Sequence, residues 1–154
     1  MSDKPQYIYV TYISTTPEKV WNALQDPELT KLFWGRGRNV SDWQVGSDWQ
    51  HQDYDDASAV RVTGKVVEAD PPKRLVVTWE SRSAAPEPRK ASRVTYAIEP
   101  AFGAVRLTVT HDELELGSKA WQDIAMGWPA VLSSLKSLLE TGQPLAMTTR
   151  SWGK

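Results

Sequence analysis

The chain has 154 residues, the size of one ordinary domain, and 40% of them are hydrophobic, enough to build a core without covalent staples. It contains no cysteine, which excludes disulfides, thiol nucleophiles and cysteine-held metal centres. With 18 Lys and Arg against 19 Asp and Glu, the net charge of -1 gives no bulk attraction to nucleic acid or anionic lipid, and no stretch approaches the roughly 18 apolar residues of a membrane span.

The opening residues Met1 to Gln6 carry no apolar run of the signal-peptide kind, so a cytoplasmic protein is expected. Gln6 to Ser14 alternates in Tyr, Ile, Val and Thr, which predicts a strand with Ile8, Val10 and Tyr12 on one face and Tyr7, Tyr9, Thr11 and Ile13 on the other. Thr16 can cap a helix that Pro17 opens and Glu18 favours electrostatically, and the helix runs to Gln25. Asp26-Pro27 restarts it as a second short helix ending near Phe33 or Trp34, before Gly35 and Gly37. Arg36 to Asp56 has the weakest pattern. Arg36 and Arg38 read as a basic loop, Gly46-Ser47 as a turn or bulge, and Asp48 to Tyr54 as a strand.

Four more strands are expected at Ala59–Ala69, Arg74–Ser81, Ser92–Glu99 and Ala104–Leu114, joined by turns at Asp70–Lys73 and Pro100–Gly103 and by a Pro- and Ala-bearing loop at Ser83–Pro88. Gly64, in mid-strand, signals a bend or a close backbone approach. A helix from about Ser118 to Thr141 carries Trp121, Ile124, Trp128, Val131, Leu135 and Leu138 at steps of three and four, one apolar stripe. Pro129 predicts a kink, Gly142 caps the helix, and Pro144 prevents continuation. Residues 143–154 are expected to be a flexible tail. The order describes an α+β domain at 6–142: a curved antiparallel sheet of six to seven strands wrapped around a long C-terminal helix, with two short helices after the first strand.

The same segments resemble a known family. Tyr12 to Leu24 resembles its opening strand and helix, and Val45-Gly46-Ser47-Asp48-Trp49 the entry to its meander. Val67 to Leu75 with Thr78-Trp79 resembles its central hairpin, Val94 to Pro100 and Leu107 to His111 its last strands, and Gly127 to Lys136 its closing helix. This is the pattern of bacterial proteins similar to the C-terminal domain of the activator of the heat-shock-protein-90 ATPase, in the START-like (SRPBCC, helix-grip) superfamily. The resemblance implies a helix-grip fold with a cavity between sheet and C-terminal helix. Binders, carriers, enzymes and chaperone partners share that scaffold, so function must be argued from the site.

The expected cavity lining is Trp34, Trp49, Val62, Val77, Trp79, Tyr96, Val109, His111, Trp121, Trp128 and Leu132, with Arg36 and Arg38 at the mouth. His111 lies in phase with Val105, Leu107 and Val109. A lone histidine on such a face is more often satisfied in a core than used by a ligand. Its functional reading is a polar anchor, with Tyr96 nearby, in an apolar hollow. The two could also act as acid and base, but no third group completes a catalytic unit. His51, Asp53 and Asp55 could share a strand face. Two or three such residues do not close a metal site, and Asp53 to Ser58 has the composition of a hydrated turn. No phosphate loop, nucleophile elbow, dinucleotide fingerprint or zinc-ligand spacing occurs. The expectation is a non-catalytic binder of a small hydrophobic or aromatic molecule, without cofactor or metal, monomeric or homodimeric. The alternatives are a cyclase- or hydrolase-like enzyme using His111 and Tyr96, and a chaperone-interacting module with a protein partner.

Overall fold

The structure, a computed structural model, describes residues 6–81, 91–114 and 119–151, and the backbone alone at 119–122. The elements run β1 (Tyr7–Ile13), α1 (Pro17–Ala23), α2 (Pro27–Phe33), β2 (Gly37–Val40), β3 (Asp48–Asp53), β4 (Val60–Asp70), β5 (Arg74–Ser81), β6 (Ser92–Ala101), β7 (Ala104–Asp112) and α3 (Lys119–Thr141). The seven strands form one antiparallel sheet in the order β1-β7-β6-β5-β4-β3-β2. Strands β2 to β7 follow as a meander. β1 joins the far side by pairing with β7, Tyr7 opposite His111 and Ile13 opposite Val105. This is the α+β helix-grip layout that the pattern predicts.

Local chemistry explains the elements. Thr16 and Asp26 accept from the backbone N–H groups of Lys19 and Glu28 and cap α1 and α2, each of which opens on a proline. α3 lays Ile124, Trp128, Val131, Leu135 and Leu138 against the sheet, each buried. Such side chains contribute about 1.5–3 kcal/mol apiece. α3 runs through Pro129 without a break and ends at Gly142, whose φ of 83° closes a bond from its N–H to the Leu138 carbonyl. Among the described residues no helix is long and apolar enough to cross a membrane.

Two expectations need correction. The basic loop after α2 is in part β2, an edge strand that pairs Gly37 to Val40 with Asp53 to Gln50. Its four residues are too few for a period-two pattern to stand out. The segment after Gly142, read as a tail, is packed as far as residue 151. A 3-10 turn at Ala146–Thr148 seats fully buried Thr148 between α2 and α3. Ser134 Oγ lies 2.7 Å from Thr148 Oγ1, which in turn lies 2.8 Å from the Leu32 carbonyl. The Ser83–Pro88 loop, Trp152 and the Trp121 side chain lie outside the described residues.

Gly64 marks a close approach, as its place in mid-strand predicts. A Cβ there would lie 2.0 Å from the Thr78 carbonyl oxygen and 2.5 Å from Trp49 Nε1. Those two atoms hydrogen-bond to each other at 2.8 Å, so a side chain would wedge directly into that bond. Gly64→Ala should cost about 2–4 kcal/mol in urea-induced unfolding. A loss under about 0.5 kcal/mol would show that the sheet yields freely at this point.

Candidate functional site

Six elements send aromatic rings to one centre. Trp34 comes from the end of α2, Trp49 and His51 from β3, Trp79 from β5, Tyr96 from β6 with His111 beside it on β7, and Trp128 from α3. Trp79 is the hub, 5.5 Å from Trp49, 5.6 Å from Trp128, 5.4 Å from His111 and stacked at 6.5 Å on Trp34, centroid to centroid. Trp34 lies 5.2 Å from His51 and 5.5 Å from Trp128, and Tyr96 meets Trp128 edge-on at 6.0 Å. Offset and edge-to-face arrangements of this kind each add about 0.5–1.5 kcal/mol beyond the area buried. Most of these rings are buried, and Trp79 is half-buried at the rim.

The polar atoms of this centre are engaged with one another. Trp128 Nε1–H donates to His111 Nδ1 at 3.1 Å. That nitrogen must therefore carry the lone pair, so Nε2 carries the proton and donates to Ser92 Oγ at 2.7 Å. Ser92 in turn donates to the Trp79 carbonyl at 3.1 Å. Ser92 and His111 thus have the spacing of a nucleophile and its base but the opposite proton direction. The serine receives the ring's proton instead of losing its own, and an indole donor stands where a triad places a carboxylate. Burial pushes the His111 imidazole down to about 4 and raises the Tyr96 hydroxyl far above its ordinary value. Neither residue is tuned to exchange protons near neutrality.

His51 is also built in. Asn39 Nδ2 donates to the Leu24 carbonyl at 2.9 Å, which fixes the amide so that its oxygen faces His51 Nδ1 at 2.7 Å. Burial, with Arg61 adding repulsion, pushes His51 down to about 3. A β-bulge between His51 and Gln52 breaks the shared face expected for His51, Asp53 and Asp55. Asp53 pairs with Arg61 at 3.0 Å, and Asp55 takes a two-pronged bond from Arg36 at 2.6 and 2.9 Å that holds its carboxyl below the usual range. Among the described residues no group of three or more His, Asp or Glu side chains is placed to hold a metal.

Of the expected lining, Trp34, Trp49, Val62, Val77, Tyr96, Val109, Trp128 and Leu132 are buried in one cluster, Trp79 packs against it, and His111 is fully buried. Arg36 and Arg38 do not face the aromatic centre. Arg36 is drawn to Asp55 and over the Tyr54 ring, and Arg38 alternates with inward-facing Gly37 and Asn39 and bonds to Gln52. A hollow of about 10 Å³ lies beside the cluster, lined by Leu24, Asn39, Trp43, Trp49, Val77 and Tyr96 among others. It is at the threshold for one water molecule. The sequence reading missed Ser92 and Asn39. Ser92 is in phase with Val94, Tyr96 and Ile98, so its inward placement was available from the period of two. Asn39 sits in the unread β2.

The outer face is different. Ile8, Val10 and Tyr12 on the edge strand β1 are 55%, 49% and 42% exposed, and Phe102, at the tip of the β6–β7 turn, is 93% exposed and 6.1 Å from the Tyr12 ring. The row is apolar by design of the alternation: Thr110, Thr108 and Arg106 on β7 stand opposite Ile8, Val10 and Tyr12.

Trp128→Phe keeps the ring's bulk but leaves His111 Nδ1 buried without a donor. It should cost about 1–3 kcal/mol in urea unfolding and raise the His111 pKa, read from its imidazole NMR shifts. No change in either would show that this bond carries no weight.

The comparisons with known proteins match this architecture. Residues 14–140 match the family model of the Activator of Hsp90 ATPase homolog 1-like protein. A structural-genomics target from Mesorhizobium loti is similar at 25% identity and TM-score 0.73, over 88% of this chain and 96% of that one. The Aha1 dimer from Colwellia psychrerythraea is similar in fold at 21% identity and TM-score 0.69, over 90% of this chain and 98% of that one. An HSP90 activator from Plasmodium falciparum is similar in fold at 20% identity and TM-score 0.69, over 87% and 95%. No curated protein matches the chain. With most of its length matched by that model, the chain belongs to the family of Activator of Hsp90 ATPase homolog 1-like proteins.

Proposed function

We propose that this chain is a non-catalytic protein-interaction module that presents its β1 face to an ATPase of the Hsp90 kind. The observation that carries the reading is the exposed row Ile8, Val10, Tyr12 and Phe102 on one face. Contiguous exposed apolar side chains on a folded domain mark docking surfaces, and aromatic anchors dominate their energetics. The family and the HSP90 activator of similar fold support the choice of partner. The reversed proton direction at Ser92 and His111 counts against an enzyme built on that pair.

A small aromatic ligand is the second reading, favoured by half-buried Trp79 at the rim of the aromatic centre. The hollow that Leu24, Asn39 and Tyr96 line is far below the roughly 300 Å³ of a usual ligand pocket, so a guest at that spot would have to part the rings.

Two measurements separate these readings. With a purified Hsp90-type ATPase, the wild-type chain should bind and change ATP turnover, and the Tyr12→Ser, Phe102→Ser double variant should lose about thirtyfold in affinity, as hot-spot anchors do. Equal binding by both proteins, or no binding by the wild type, would reject the β1 face. Under the ligand reading, a small aromatic at 100 times its Kd should stabilise the chain by about 2.7 kcal/mol and perturb Trp79 fluorescence. A broad aromatic library without any thermal shift would reject it.

A further inference from the structure

The chain has two histidines, and both are locked into the same aromatic centre from opposite sides. His51 packs at a tilt against Trp34, Trp34 meets Trp128 edge-on, and Trp128 donates to His111. Each ring is held in the one neutral tautomer that its surroundings allow. At His111 the free lone pair, on Nδ1, faces the indole N–H of Trp128 at 3.1 Å. A proton there would set two donors against each other at hydrogen-bond distance. At His51, Nδ1 faces the fixed Asn39 oxygen, so Nε2 holds the lone pair. That nitrogen is pressed against the backbone of Gly37, where a Cβ would lie 2.4 Å from it, and the Arg61 guanidinium reaches the same spot. A proton on Nε2 would put a second cation beside Arg61, with no room to swing away.

The surroundings offer no compensation. Around His111 the titratable and charged groups are Tyr7 on β1, Tyr96 and Arg93 on β6 and Asp112 on β7; Asp112 is already paired with Arg93. Around His51 they are Arg61 on β4 and Asp53 on β3, already paired with each other. Neither imidazolium would find an unpaired carboxylate among the described residues.

We propose that His51 and His111 form a two-point acid latch: neutral, they lock α2 and α3 onto the sheet through Trp34 and Trp128, and on protonation they release the aromatic centre in a single step. The linkage has a definite sign. Both folded-state pKa values lie below the ordinary 6.5, so the latch is fully closed above pH 6.5. Its contribution drains away as pH falls from there toward about 4 for His111 and about 3 for His51. The released state would keep its strands and lose its fixed tryptophan packing, as compact acid states do.

The test follows both histidines by NMR in the intact chain from pH 7.5 to 3, alongside near-UV and far-UV circular dichroism. The expected result is that both imidazoles stay neutral well below 6.5, then take up about two protons in the same transition that abolishes the tryptophan near-UV signal while the far-UV signal persists. His111→Gln and His51→Gln should each reduce the uptake to about one proton and move the midpoint to lower pH. Titration of either histidine near 6.5 with the near-UV signal intact would overturn the proposal. So would two separate histidine steps, or variant transitions that superimpose on the wild type. If a variant fails to fold, the wild-type titration decides alone.

Discussion

The bond from Trp128 to His111 is the one directional tie between the long helix and the middle of the sheet among the described residues of the centre. Where Ile124, Val131, Leu135 and Leu138 of α3 are buried, the contact is apolar, which resists separation but is indifferent to small rotations. An indole N–H aimed at one imidazole nitrogen is not indifferent. It sets the roll of the helix, chooses the tautomer of His111, and through that proton chooses the direction of the Ser92 bond as well. In a dry interior such a chain of bonds is worth more than in water, and more costly to interrupt. The tilted and edge-on packing of Trp34, Trp79 and Tyr96 around Trp128 presupposes that the ring stays where this bond puts it.

The two faces of the sheet therefore differ in kind. Inside, the polar groups of the aromatic centre are committed to each other, and the hollow between Asn39, Trp43 and Tyr96 has room for about one water. Outside, along β1, apolar side chains stand in solvent with threonines for neighbours. At the end of the β1 edge Lys136 bonds to the Tyr12 carbonyl and Glu140 accepts from the Ser14 N–H. A lysine on a strand edge discourages unwanted pairing, and it leaves the face beside it open.

Much of the fold was legible because its patterns are long. The period of two across β1, β5, β6 and β7, and the stripe along α3, each extend over enough residues to stand above noise. The caps at Thr16, Asp26 and Gly142 mark the helix ends through chemistry that is local. β2 was not legible, since four residues with a glycine at the start carry no period. The docking of Thr148 was not legible either, because its partners Ser134 and Leu32 are remote in sequence and nothing near Thr148 announces them. At the site, the inward phase of Val109 and His111 named the right face. What phase cannot supply is the identity of the partner across the gap. That Trp128 would present its N–H to His111, and that Arg36 would be drawn to Asp55 away from the centre, are facts of three-dimensional placement alone.

The sheet order has a consequence for how the chain is made. β1 precedes the other strands of the sheet along the chain, yet among the described residues its strand neighbour is β7, so Tyr7 waits for His111. Thr148 then ties back to Leu32 across 116 residues. Everything from β1 through β7 must clear the ribosome before β1 can be seated. Until then Ile8, Val10 and Tyr12 remain an unsheltered β-prone segment, the kind most exposed to aggregation during synthesis.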